Sequence, residues 1–154
     1  MPKCTILVGV PGSGKSTWLS NNRVAWSKTV STDNVIEELA SQYGFTYDEI
    51  FRETIRFADM VMVKDMLHAA EQGVELYIDR TNMSIRSRKQ FMDKLRKYGY
   101  EFECVVFRMP EPEEWNRRLT TRKGKTIPQD AIDRMVASYE EPSEAEGFMK
   151  VTFI

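Results

Sequence analysis

Short apolar runs alternate with amphipathic segments along the whole chain, and glycine, proline or a capping residue separates them. Apolar and β-branched runs predict five strands, at residues 3–9, 28–31, 75–78, 102–107 and 151–154. Apolar positions that recur every three or four residues predict helices between these strands. The predicted helices occupy residues 15–22, 47–72 and 112–121 and the segment from Ser84 to Gly99, and two more begin after Asp33 and at Pro128. Strands that alternate with helices pair in parallel through right-handed crossovers. We therefore expect a doubly wound α/β fold, with a mostly parallel five-stranded sheet flanked by helices.

The composition is that of an ordinary globular domain. With 154 residues, 42% of them hydrophobic and 29% charged, the chain is long enough for one core and too apolar for disorder. No apolar run approaches the length of a membrane span. Cys4 and Cys104 lie in apolar segments, which favours buried, reduced thiols over a disulfide or a metal site. The expectation is a single domain over residues 1–154 of a cytoplasmic protein.

Positive charge is concentrated in one segment of a nearly neutral chain. The net charge is −1, yet residues 81–128 carry 12 basic and 6 acidic side chains. The densest part surrounds Gly124 and contains Arg117, Arg118, Arg122, Lys123 and Lys125. This distribution indicates a surface that faces an anion, although solvated helix faces would have the same composition.

The most specific motif occupies residues 9–16, which read Gly-Val-Pro-Gly-Ser-Gly-Lys-Ser and follow the pattern G-x-x-x-x-G-K-[ST] between a strand and a helix. The glycines let backbone N–H groups surround phosphate oxygens, Lys15 reaches the β- and γ-phosphates, and the Ser16 hydroxyl is a Mg²⁺ ligand. The chain has no Asn-Lys-x-Asp segment for reading guanine and is small for a motor ATPase, which favours a kinase. The predicted ATP-binding residues are Gly12, Ser13, Gly14, Lys15, Ser16, Thr17, Arg118 and Arg122.

Two carboxylates follow predicted strands, as does the glycine loop. Ligands of such sheets bind beyond the carboxyl ends of the strands, so Gly9, Asp33 and Asp79 should share one rim. Asp33 is the candidate general base for an acceptor hydroxyl, and its alternative role is that of a helix cap. Asp79 ends the run Glu-Leu-Tyr-Ile-Asp and would orient Mg²⁺ through water, or else be a plain turn residue. Arg80 and Asn82 follow it as candidate acceptor contacts.

A basic segment with a glycine hinge predicts a lid over residues 118–128. Arg118 and Arg122 are four residues apart and so lie on one face of a helix end. A planar guanidinium suits the charge on a transferring phosphoryl group, which makes Arg122 a candidate catalytic residue. The alternative is a solvated basic helix end that the helix dipole favours.

The order of these elements resembles the kinase domain of the polynucleotide 5′-hydroxyl kinase family, among the small P-loop kinases that act on hydroxyl acceptors. The resemblance rests on residues 9–18, Val-Ser-Thr-Asp at 30–33, Asp-Arg-Thr-Asn at 79–82 with Arg88 beyond it, Arg-Leu-Thr-Thr-Arg at 118–122 and Glu-Gly-Phe at 146–148. It implies that Asp33 is the base, that Lys15 and Ser16 hold the triphosphate and metal, that Arg122 is the lid arginine, and that the acceptor meets Asp33, Arg80, Asn82 and Arg88.

One position departs from that family. Three residues after the base, the polynucleotide kinases have an arginine that grips the 3′-phosphate of the acceptor, and this chain has Ile36. The expected function is an ATP- and Mg²⁺-dependent kinase of a nucleic-acid hydroxyl, foremost the 5′-OH end of DNA or RNA. The alternatives are a kinase of another hydroxyl, such as a hydroxymethylated base in DNA, a nucleoside or a small metabolite, and a nucleotide-binding regulator without catalysis.

Overall fold

A computed structural model describes residues 1–154 and contains one five-stranded sheet in the order β2-β3-β1-β4-β5, with every neighbouring pair parallel. The strands are β1 (Lys3–Val8), β2 (Ser27–Val30), β3 (Glu75–Asp79), β4 (Glu101–Val106) and β5 (Lys150–Phe153). The helices are α1 (Lys15–Asn22), α2 (Thr32–Tyr43), α3 (Tyr47–Glu71), α4 (Ile85–Leu95), α5 (Pro112–Thr120) and α6 (Gln129–Ala137). The predicted α/β fold class is confirmed.

The central strand β1 is buried on both faces because helices cover the sheet from both sides. Cys4, Ile6 and Val8 face the larger cluster, which includes Met62 and Met66 of α3. Leu7 points the other way and packs in a second cluster with Leu19 of α1. Since parallel sheets are stabilised by burial on both faces, β1 reads as a continuous apolar run.

The two cysteines lie in this interior, where both are buried and unpaired, as predicted. Burial raises the pKa of the Cys4 thiol and raises the pKa of Cys104 to about 12, so both thiols stay protonated at neutral pH.

The junction of β2 and α2 corrects one local prediction. The N-cap of α2 is Ser31, whose hydroxyl accepts the N–H of Asn34 at 3.3 Å, rather than Asp33. Asp33 lies in the first turn of the helix and its carboxylate is free for contacts across the site. Helices α2 and α3 then form a hairpin around a small core of Ile36, Ala40, Ile50 and Ala58.

None of the helices combines the length and the apolar character that crossing a membrane requires.

Candidate active site

The loops that follow β1, β2 and β3 meet at one rim of the sheet, as the sequence predicts. The N–H of Gly9 donates to the carbonyl of Thr81 at 3.0 Å, which joins the first loop to the third. A cavity of about 880 Å³ opens at this rim. All the predicted ATP-binding residues line it, at 12–17, 118 and 122, and Asp33, Asp79 and Arg80 line it with them.

The glycine loop closes tightly around the ammonium of Lys15. Gly12 and Gly14 have φ of +77° and +102°, which a side chain would strain, and a Cβ at Gly9 would lie 2.6 Å from the hydroxyl of Ser13. Lys15 Nζ donates to the carbonyls of Gly9 at 2.8 Å and Val10 at 3.0 Å. Burial lowers the pKa of Lys15 to about 8, against the opposing effects of Asp79 and Asp33. The loop therefore holds a desolvated cation at the place where phosphate is expected.

Helix α5 supports the outer side of this loop. Trp115 Nε1 donates to the carbonyl of Pro11 at 2.7 Å, and Arg118 Nη1 donates to the carbonyl of Gly12 at 2.7 Å. Glu114 accepts from Arg118 Nε at 2.8 Å and orients the guanidinium. Sequence reasoning identified Arg118 and missed the other two. Their position three and four residues before Arg118, on the same helix face, is the signal that could have found them.

Arg122 belongs to the predicted lid segment, of which residues 124–126 contact the start of α3. Arg122 Nη1 is buried and has no hydrogen-bond partner. The carbonyl of Gly124 accepts the N–H of Asp48 at 2.9 Å, and the N–H of Thr126 donates to both carboxylate oxygens of Asp48, at 2.8 and 2.9 Å. Asp48 thus joins the predicted lid segment to the start of α3, a contact that its sequence position did not indicate.

The carboxylate of Asp33 contacts two side chains that sequence reasoning did not place there. The hydroxyl of Tyr47 donates to Oδ1 at 2.7 Å, and Lys125 Nζ lies 3.3 Å from Oδ2. Lys125 also donates to Glu37 at 2.8 Å. About half of the Asp33 side chain, 51%, stays exposed. The candidate base is therefore oriented by its neighbours and still accessible.

A second cavity, of about 630 Å³, adjoins the first on the side of α3 and α6. The two cavities share the residues Pro11, Asp33, Asp79, Arg80, Thr81 and Lys125. Apolar and aromatic side chains contribute to its wall, namely Tyr47, Phe51, Ile55, Ile127 and Met135, and Arg52 and Arg134 line it as well. Asp33 thus lies where the two cavities meet.

The candidate metal ligands fit a weakly coordinated divalent cation. Ser16 and Asp79 line the first cavity, and no cluster of three or more histidine, cysteine or acidic side chains suited to a metal ion occurs. Mg²⁺ retains water and takes few protein ligands beside phosphate oxygens, so a hydroxyl and a carboxylate suit it. Burial raises the pKa of Asp79, while the nearby Lys15 ammonium opposes that rise.

Two predicted acceptor contacts are wrong because their side chains are buried in the structure. Asn82 is 3% exposed and donates to the carbonyl of Leu7 at 2.8 Å. Arg88 is fully buried and forms an ion pair with Glu146 at 2.8 Å. Neither lines the two cavities, so both stabilise the fold. Arg80 does line both, with its guanidinium 3.6 Å from Asp59.

Comparison with known families agrees with this geometry. The model of the AAA_33 family, described as an AAA domain, matches residues 5–142, and the chain belongs to this family. It is a P-loop kinase-like domain.

Two curated relatives align with almost the entire chain. The bifunctional polynucleotide phosphatase/kinase of Schizosaccharomyces pombe is 24% identical over an alignment of 151 positions, gaps included, which covers 95% of this chain and 32% of that protein. The heterogeneous nuclear ribonucleoprotein U-like protein 2 of Mus musculus is 21% identical over an alignment of 159 positions, gaps included, which covers 96% of this chain and 21% of that protein. The chain therefore spans about a third or less of the length of these relatives.

Solved structures share the fold at low identity. A chain of the PezAT toxin–antitoxin system of Streptococcus pneumoniae superposes with a TM-score of 0.73 at 18% identity and covers 99% of this chain and 66% of that one. A sugar kinase from a Janibacter species gives a TM-score of 0.59 at 19% identity, covering 100% of this chain and 85% of that one. Both carry the α/β P-loop kinase fold found here.

Proposed function

We propose that this chain is an ATP- and Mg²⁺-dependent phosphotransferase that moves the γ-phosphoryl group of ATP to a hydroxyl of a nucleic acid, foremost the 5′-OH end of DNA or RNA. Residues 1–154 would form one catalytic domain with its lid at 118–128. The observation that carries the proposal is the position of Asp33 between two cavities, one of which contains the glycine loop. A protein that only held nucleotide would have no need of the second cavity beside a carboxylate.

On the donor side, the loop N–H groups and Lys15 bind the β- and γ-phosphates. Arg122, whose Nη1 is buried without a partner, would donate to the oxygens of the phosphoryl group in transfer. Mg²⁺, held by Ser16 and through water by Asp79, would neutralise phosphate charge when bound. With nucleotide bound, the lid would exclude water from the first cavity and so favour transfer over hydrolysis.

On the acceptor side, Asp33 accepts the proton of the hydroxyl as that oxygen attacks the γ-phosphorus. The new phosphorus–oxygen bond forms as the bond to the β–γ bridging oxygen breaks, and ADP leaves with the electron pair of that bond. General-base assistance of this kind contributes about 10² to 10⁴ in rate. Lys15 lines only the first cavity, whereas Asp33 lines both, so a hydroxyl bound in the second cavity could reach Asp33.

A nucleic-acid acceptor is supported by the polynucleotide phosphatase/kinase relative and by the wall of the second cavity. Tyr47 and Phe51, with ring centroids 5.4 Å apart, offer an aromatic surface on which a base can stack. Ile36 is fully buried in the core between α2 and α3, so it does not replace the phosphate-gripping arginine of the polynucleotide kinases. Arg52 and Arg134, which line the same cavity, are the cations available to an acceptor phosphate.

A compact hydroxyl acceptor is the second candidate, because the apolar part of that wall would bind a nucleoside or a small metabolite equally well. A protein described as a sugar kinase has the same fold as this chain. The two candidates differ in acceptor length, and therefore in how strongly transfer depends on salt, since phosphate contacts weaken steeply as salt rises.

The test is a transfer assay with γ-labelled ATP and Mg²⁺ across 5′-OH DNA and RNA oligonucleotides, hydroxymethylated DNA, nucleosides and sugars. Label on the 5′ end of an oligonucleotide supports the proposal, and label only on a small acceptor supports the second candidate. If the protein binds ATP but neither transfers label nor releases ADP, the remaining interpretation is a nucleotide-binding regulator without catalysis.

Asp33→Asn tests the base within the same assay. Because Asp33 is half-exposed and caps no helix, we expect this variant to keep ATP affinity and to lose at least a hundredfold in transfer, on the order of what a general base contributes. Glu38→Gln is the matched control, since it also converts a carboxylate on α2 to an amide but lies outside both cavities.

A further inference from the structure

Helix α2 alone does not fix the orientation of the Asp33 side chain. It lies in the first turn of α2, where the capping function belongs to Ser31, and half of its side chain is exposed. A side chain in that situation samples several rotamers unless a neighbour fixes one of them. The neighbour that touches Oδ1 is Tyr47, whose hydroxyl donates to it at 2.7 Å.

Tyr47 is itself held by the start of α3. The preceding residue, Thr46, forms a capping box with Glu49, in which each side chain accepts the backbone N–H of the other residue. The ring of Tyr47 packs on Phe51, and the ammonium of Lys125 lies 4.6 Å from the ring centroid. The hydroxyl therefore comes from a fixed helix terminus rather than from a mobile loop.

We propose that Tyr47 is a positioning residue of the transfer reaction, which holds Asp33 through Oδ1 so that Oδ2 is the oxygen presented to the acceptor hydroxyl. The inference rests on the proposed role of Asp33 as the base. Oδ2 has only the longer contact of 3.3 Å to Lys125, whose closer partner is Glu37 at 2.8 Å, so an acceptor can replace that contact.

The hydroxyl of Tyr47 is suited to act as a permanent donor. Burial and the hydrogen bond to Asp33 raise the pKa of Tyr47, so the phenol keeps its proton at neutral pH. A hydrogen bond from a neutral donor to a carboxylate is also among the stronger ones in proteins.

The experiment is a double-mutant cycle of Tyr47→Phe with Asp33→Asn. Phenylalanine retains the ring contacts with Phe51 and Lys125 and removes only the hydroxyl. Two rates are measured with saturating Mg-ATP, namely transfer to a 5′-hydroxyl oligodeoxythymidylate and release of ADP with water as the acceptor, and KM is measured for ATP and for the oligonucleotide. Tyr43→Phe, which removes the hydroxyl of an exposed tyrosine on α2, is the matched control.

We expect Tyr47→Phe to lower kcat by about tenfold to a hundredfold, the effect of one hydrogen bond to a charged group, with both KM values unchanged. In the Asp33→Asn background the same substitution should have no further effect, because Tyr47 acts only through that carboxylate. Thermal denaturation of each variant shows whether it is folded.

Four results would overturn the inference. If Asp33→Asn is impaired but Tyr47→Phe has normal kcat, or lowers the rate equally in both backgrounds, the base stands and the role of Tyr47 is wrong. A rise in acceptor KM at constant kcat would instead make Tyr47 a binding residue. If Asp33→Asn changes neither rate, the proposed function fails and this inference fails with it.

Discussion

The guanidinium of Arg88 and the carboxylate of Glu146 form a two-pronged ion pair, Nε to Oε1 at 2.8 Å and Nη2 to Oε2 at 2.9 Å, with side chains only 0% and 8% exposed. The other N–H groups of Arg88 donate to the carbonyls of Asn82, Met83 and Glu140 at 2.9–3.0 Å. Every donor of the guanidinium is therefore used. The pair joins α4 to the segment that leads into β5, one of the two edge strands of the sheet.

Arg88→Met should destabilise the protein without changing its binding of ATP. Removing one partner of a buried ion pair leaves the other charge uncompensated, and we expect the free energy of unfolding to fall by about 3–5 kcal/mol. Urea denaturation measures this loss, and ATP affinity is measured on the folded protein.

The double variant Arg88→Met/Glu146→Met should recover much of that stability, because apolar side chains of similar volume can replace a buried pair. Lys89→Met is the control, since it breaks an exposed pair with Asp93 and should cost less than about 1 kcal/mol. If Arg88→Met has normal stability but binds the acceptor more weakly, Arg88 contacts the acceptor, as the family resemblance implied.

Most of the fold could be predicted because its signals are local. The helix predicted at 15–22 is α1 (Lys15–Asn22) as observed, and the helix predicted at 47–72 differs from α3 (Tyr47–Glu71) by one residue. Gly99, with a φ of +78°, follows the last helical turn before β4, as the sequence indicated. In each case a glycine or a capping residue adjoins an apolar pattern, so the neighbouring sequence holds the information.

The wrong or missing parts of the site depend on contacts between distant segments. Arg88 looks like any basic residue on a helix, and its partner Glu146 is 58 residues away. The contact of Tyr47 with Asp33 exists only because the α2–α3 hairpin brings the start of one helix beside the start of the other. Ser31 and Asp33 are both good capping residues two positions apart, and propensity alone did not decide between them.

Nucleotide binding should take up a proton above neutral pH. The pKa of Lys15 is lowered by burial to about 8, so above that pH most of the free protein carries a neutral amine, whereas bound phosphate stabilises the ammonium. At pH 8.5 we expect uptake of roughly three quarters of a proton per ATP, and almost none at pH 6.5. Affinity should be nearly constant below pH 7 and fall about tenfold per unit above pH 8.

Titration calorimetry in two buffers of different ionisation enthalpy measures this uptake. Lys15→Met removes the titrating group, so its weaker binding should show no proton uptake at either pH. Equal heats of binding in both buffers at pH 8.5 for the unmodified protein would contradict the lowered pKa of Lys15.

Arg122 and Arg118 should affect different steps. Arg122 Nη1 has no partner, so we expect Arg122→Ala to lower the rate of transfer by on the order of 10³ with little change in ATP affinity. Arg118 holds the carbonyl of Gly12, so Arg118→Ala should loosen the loop and weaken ATP binding more than it slows transfer. Single-turnover rates and equilibrium binding separate the two effects. Arg122→Lys should recover little of the transfer rate, since an ammonium lacks the planar fork of a guanidinium. If Arg118→Ala slows transfer and Arg122→Ala mainly weakens ATP binding, the lid role belongs to Arg118.

Gly124→Ala should impair the closed lid. At a φ of +68° any side chain is strained, and a Cβ at Gly124 would lie 2.8 Å from Cβ of Thr46, which cannot move without disturbing the capping box of α3. The lid segment must therefore shift, and with it the hydrogen bonds of Asp48 to Thr126 and the position of Lys125. We expect transfer to slow by at least tenfold, with more of the ATP lost to hydrolysis as water enters.

Gly44→Ala is the control for conformational strain, because Gly44 has a similar φ of +75° but open space around its Cβ position. Both variants should lose about 1–2 kcal/mol of stability from the left-handed backbone, which thermal denaturation measures. Only Gly124→Ala should change the ratio of transfer to hydrolysis, since only there does the added methyl group meet α3. If both variants slow transfer equally, the loss comes from reduced stability, and the contact between the lid and Thr46 does not hold the lid closed.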